Sequence, residues 1–192
     1  MSDVLFDLAF GLLLGFSLTI PPGPMNAFIA SQSVRAFREG VTAGFGAMCA
    51  DLVLGVLVFL VHSVFDLSSI LRWIYVLGAG VMLYLGVSLI RRASRPPVPG
   101  TTGLATFAKA FGLGVSNPFQ IIWWLSVGLA FAYLGGWVLF VGLFGAIAVW
   151  ILFFPAVLHA GAENRPRLAK WMVAVSGALI VAFAAYFVVL AV

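Results

Sequence analysis

Ser17-Leu-Thr-Ile-Pro-Pro-Gly-Pro-Met-Asn26 packs three prolines and a glycine into four residues, inside an apolar run from about residue 5 to residue 30. Proline has no amide donor and clashes with the turn before it, so a straight helix cannot continue through Pro21–Pro24. Carbonyls near Ser17 to Ile20 lose their helical partners, while Pro24 suits the first turn of a new helix. Free amides and the positive dipole end at such a start favour an anion.

The solvent around this break follows from composition. The 192 residues are 64% hydrophobic and 8% charged, with mean hydropathy +1.18. Soluble domains carry about 25% charged residues, so a chain this apolar must use lipid as its solvent. About 20 apolar residues span a bilayer. Runs near 5–30, 40–62, 70–90, 105–132, 136–159 and 170–191 use almost the whole length. Long unbroken apolar runs, without the alternation of a barrel, must be helices that satisfy their own backbone. The expected fold is an all-α membrane protein of six transmembrane helices, with no room for a soluble domain. In lipid, the break at Pro21–Pro24 is tolerable only where protein or a water-filled cavity encloses it.

Charge orients the chain. With six spans, the connections after spans one, three and five share a side. They hold Arg35, Arg38, Arg91, Arg92, Arg95, Lys109, Arg165, Arg167 and Lys170, leaving only Arg72 opposite. The positive-inside rule makes the nine-residue side cytoplasmic and puts both termini outside the cytoplasm of a multi-pass plasma-membrane protein. The net charge of +4 belongs to these anchors and does not point to nucleic acid. The N-terminus, MSDVLFDLAF, lacks a basic region, which argues for a retained first span rather than a cleaved signal peptide. A lone Cys49 excludes an intrachain disulfide and a CxxC pair.

The Pro-rich linker at 93–103 divides the chain into halves of about 1–92 and 104–192. Each half opens with a proline-interrupted span, and each third span opens on a basic residue and tryptophan, Arg72-Trp73 and Lys170-Trp171. Three spans is an odd number, so a second copy would be inverted in the membrane, as in many secondary transporters.

The second break is Ser116-Asn-Pro-Phe-Gln-Ile-Ile-Trp-Trp124. Asn117 and Gln120 need partners in a dry environment. The third candidate is Asp51, near the middle of span two. A charge at that depth is expensive, so an intramembrane acid is a functional residue by default. Gly40, Gly44, Ala47, Asp51 and Gly55 share one helical face of small residues, which turns Asp51 into the bundle. The same small-residue faces would serve packing within one chain or a homodimer. An acid that exchanges a proton for a substrate amine could couple transport to a proton gradient. His62 and His159 read as solvated residues at span ends, and no ligand cluster suggests a metal. Trp73, Trp137 and Trp171 suit the interfacial belt, whereas Trp123 and Trp124 lie deeper and, being adjacent, cannot share a face. Walker, GxSxG and HExxH motifs are absent, so an ion gradient rather than a nucleotide would supply energy. No enzyme activity and no cofactor are expected.

In order along the chain, Pro22-Gly-Pro-Met-Asn26, the segment Gly46 to Asp51, the run Leu71 to Gly86 and Asn117-Pro118 resemble the LysE/RhtB (lysine exporter) family over nearly the full length. Met25 separates the proline motif from Asn26, Ala50 stands where the family often has glycine, and Phe119 where lysine is frequent. These departures bear on the substrate more than on the fold. The resemblance implies a secondary active exporter of amino acids or related zwitterions. Pro22, Gly23, Pro24, Asn26, Asp51, Asn117, Pro118 and Gln120 would form the substrate site, with Asp51 coupling to a proton or another ion. Export of a metal or inorganic ion, and a non-transporting scaffold or assembly factor, are the alternatives.

Overall fold

The computed structural model describes residues 4–21, 23–61, 68–93, 103–125, 136–162 and 165–191. Among them are eight helices and no strand: α1 (Val4–Thr19), α2 (Pro24–Ser33), α3 (Phe37–Val61), α4 (Ser68–Ala93), α5 (Gly103–Val115), α6 (Pro118–Trp123), α7 (Gly136–Ala162) and α8 (Pro166–Ala191). His62, the linker at 94–102 and most of the junction at 133–136 between the fourth and fifth expected spans lie outside the described residues.

Helix boundaries follow the prolines. Pro24 and Pro118 each occupy the first helical position of α2 and α6, where a missing amide costs nothing. The run at 5–30 is therefore two helices, turned 81° from one another. Segments of α3 (Phe37–Leu57), α7 (Trp137–Ala162) and α8 (Arg167–Tyr186) are each long and apolar enough to cross a bilayer, and the bent α1–α2 pair would make a fourth crossing. Ala79–Arg91 in α4 and Gly103–Val115 are shorter apolar helices.

The principal helix pairs are α4 with α8, α1 with α7, and α3 with α5; α2 lies on α8 and α3, and α3 also meets α7. Contact register gives their directions. Gly11 lies on Leu139, and Gly15 on Leu143 and Ala146, so α1 and α7 run parallel. Gly46 lies on Phe107 and Ala110, and Gly114 on Ala50, so α3 and α5 also run parallel. Gly40 touches Pro155 and Gly44 touches Ile151, which makes α3 and α7 antiparallel. The α4–α8 pair is antiparallel and crosses at two glycines. A methyl group at Gly86 would lie 2.8 Å from the Gly177 carbonyl oxygen, and one at Gly177 would lie 2.9 Å from that of Gly86. Without hydrophobic drive between helices in lipid, such backbone approach is what holds a pair together.

Two apolar clusters result. One joins α2, α3, α4, α5 and α8 around Phe28, Met82, Leu113 and Ile180. The other joins α1, α3, α6 and α7 around Leu14, Trp124, Leu143 and Ile151. Large apolar side chains such as Leu13, Leu52, Leu77, Phe153 and Val189 stay exposed on the outside, as a lipid-facing surface requires. Trp73, Trp137 and Trp171 are exposed as well.

Candidate functional site

Both helix breaks open onto one cavity of about 220 Å³. The end of α1 and the start of α2 contribute Ser17, Thr19, Pro21, Gly23, Pro24 and Asn26; the second break contributes Asn117, Phe119 and Gln120; Asp51 comes from α3. Ile147, Trp150 and Ile151 of α7 close the far side.

Each break is stapled by its own side chains. The carbonyl oxygens orphaned at the end of α1 need donors. The Asn26 amide nitrogen donates to the Thr19 carbonyl and, at 2.9 Å, to the Pro21 carbonyl. Its oxygen accepts from the Trp150 indole at 3.2 Å, which ties the break to α7. At the second break Asn117 is the N-cap of α6, its oxygen accepting from the Phe119 amide at 3.1 Å. Ser17 and Ser116 each donate to a carbonyl of the helix they end, Leu14 and Gly112, both at 2.7 Å.

Asp51 is 3% exposed and sits in a chain of hydrogen bonds. The Asn117 amide donates to Gln120 Oε1 at 3.1 Å, and the Gln120 amide donates to Asp51 Oδ1 at 2.9 Å. The Trp124 indole donates to the same oxygen at 3.0 Å. Among the described residues neither donor uses Oδ2, and no fully buried side-chain polar atom lacks a partner. A carboxyl group fixed at one oxygen, on a residue that lines the cavity, can hold a proton or an ammonium group at the other.

The start of α2 differs from that of α6. Gly23, in extended conformation (φ −159°), precedes Pro24 with no side-chain cap. Uncapped amides at a helix start are what a carboxylate seeks.

Of the residues singled out from sequence, Gly23, Pro24, Asn26, Asp51, Asn117 and Gln120 line the cavity. Pro118 is buried at the start of α6, and Pro22 lies outside the described residues. Trp124 and Trp150 hold Asp51 and Asn26; from sequence Trp124 reads as deep without being assigned to Asp51, and Trp150 is not singled out. Their signal was an indole N–H deep in an apolar run, which must find an acceptor. The adjacent tryptophans do divide: Trp123 lines the cavity, while Trp124 is 2% exposed. His159, read from sequence as a solvated residue, is half-buried and bonds through Nδ1 with the Ser33 carbonyl at 3.1 Å, joining α7 to the end of α2. Among the described residues no group of three His, Cys, Asp or Glu side chains gathers as a metal site.

Comparison of the sequence with known proteins finds relatives named for amino acid export. The YcgF protein of Bacillus subtilis, to which amino acid efflux is provisionally ascribed, is 28% identical over 123 aligned positions, covering 60% of this chain and 59% of that one. The lysine exporter LysE of Corynebacterium efficiens is 28% identical over 211 positions, covering 84% and 89%. A threonine efflux protein of Salmonella typhi is 27% identical over 195 positions, covering 88% and 90%. No solved structure gives a significant match. The family model for the LysE type translocator matches residues 16–191, and the chain belongs to that family.

Proposed function

We propose that the chain is a secondary active exporter of amino acids or related small zwitterions. It is proton-coupled and works by alternating access between two inverted three-helix halves in the plasma membrane, with both termini outside the cytoplasm. The observation that carries this reading is the cavity, where two broken helices meet a single buried acid. A scaffold has no need of a cavity with a buried acid at that place. The volume, below the roughly 300–1,000 Å³ of drug-sized sites, suits a small solute.

Opposite ends of a zwitterion find opposite partners there. The open amides of α2, just after Pro24, receive the carboxylate. The second oxygen of Asp51 receives the ammonium or, in exchange, a proton. Oriented dipoles for one charge and a titratable group for the other are how broken-helix transporters work. Asn26, Asn117 and Gln120 act mainly by holding the breaks and Asp51 in place. Helix pairing supports two related halves. Exchanging the halves pairs α1 with α5, α3 with α7 and α4 with α8. It then turns the α1–α7 contact into the α5–α3 contact and maps α4–α8 onto itself, all of which occur. Since α1 parallels α7, α3 parallels α5 and α3 opposes α7, the two first helices run in opposite directions, as inversion requires.

The test is uptake of radiolabelled amino acids into inside-out vesicles given an acidic lumen. The expected result is accumulation that a protonophore abolishes. Accumulation indifferent to the protonophore would remove proton coupling, and no accumulation of any amino acid would remove the export reading itself.

A further inference from the structure

The cavity wall carries information on which zwitterion fits. We infer that the cargo is an amino acid with an uncharged, mainly apolar side chain, and that lysine and arginine are excluded. This rests on the export reading above and narrows it.

Asp51 is the one ionisable side chain lining the cavity among its described residues. A basic amino acid brings two cationic groups and one carboxylate. After Asp51 meets the α-ammonium, the second cation would be desolvated with no counter-charge, at a cost of several kcal/mol. Apart from Asp51 and the neutral polar groups of Ser17, Thr19, Asn26, Asn117 and Gln120 the wall is apolar, with Ile29, Phe119, Ile147 and Ile151 beside Trp123 and Trp150. An aromatic face could hold a cation, for about 0.5–2 kcal/mol. These rings are already engaged, however. Trp150 stacks on Phe154 at 4.9 Å, Trp123 meets Trp124 edge-on at 5.4 Å, and Phe119 meets Phe183 edge-on at 5.7 Å. That residual attraction does not offset the lost hydration. A branched or thioether side chain replaces water on this wall favourably, by about 25 cal/mol per Å² buried.

Efflux should be measured from cells that overproduce the chain and are loaded with leucine, methionine, lysine or arginine as dipeptides. Leucine and methionine should leave at least about tenfold faster than from control cells, while lysine and arginine leave at the control rate. Met25→Asp, which sets a second acid on the cavity wall, should gain lysine efflux at the expense of leucine. Lysine efflux by the natural chain at or above the leucine rate overturns the inference and leaves the export reading standing. Efflux of none of the four overturns the inference too. Uptake of some other amino acid in the vesicle experiment then decides whether the export reading falls with it.

Discussion

Asn26 makes three hydrogen bonds that hold the first break: two from its amide to the Thr19 and Pro21 carbonyls, and one accepted from Trp150. Removing it leaves those carbonyls and an indole without their protein partner at a part-buried break. Asn26→Ala should therefore lower unfolding stability in detergent by about 1–3 kcal/mol, read as a drop in melting temperature. Trp150→Phe, which deletes one of the three bonds and keeps an aromatic ring, should cost about 1 kcal/mol or less, in line with single bonds measured inside membrane proteins. Trp124→Phe keeps the ring against Phe140 and Phe144 and deletes the bond to Asp51. It should slow transport more than it lowers the melting temperature. At this scale the sequence showed where the polar groups were and not what they touch. Asn26 stood out beside three prolines, but Trp150 lies 124 positions away. Asn117 stood out as a polar residue in a dry run, and its capping bond depends on where α6 begins.

The helices themselves were easier to read, because proline and glycine act locally. Pro24 and Pro118 each begin a helix, as their missing donors dictate. The turn between α1 and α2 was not legible, since its angle depends on the neighbours each half-helix packs against. Helix pairing is tested through the glycines. Gly177→Ala sets a methyl group 2.8 Å from Ile90 and 2.9 Å from the Gly86 carbonyl, which should separate α4 from α8 and cost about 1–3 kcal/mol. Gly80, on the same helix as Gly86, has nothing within 4 Å of a would-be Cβ. Gly80→Ala should be neutral or stabilise by up to about 1 kcal/mol through helix propensity. Equal effects of the two substitutions would contradict the packing described.

For the molecule as a whole, six spans with nine basic residues on one side were read from the sequence alone. By length and composition the described residues supply three crossings, or four with the bent pair; the second proline break leaves Gly103–Val115 short, and in α4 only Ala79–Arg91 is found as a shorter apolar helix. Orientation can be measured directly. With Cys49 replaced by alanine, a cysteine at Arg167 should react with an impermeant thiol reagent only from the cytoplasmic side. A cysteine at Trp137 should react only from the outside, and the reverse pattern would invert the assignment. The central claim is that the solute passes the cavity at Asp51. Gradient-driven uptake into inside-out vesicles, compared between the natural chain and Asp51→Asn of matched melting temperature, addresses it most directly. The account predicts that the asparagine variant loses accumulation by about tenfold or more, the equivalent of at least about 1.4 kcal/mol. Accumulation equal to that of the natural chain would contradict it.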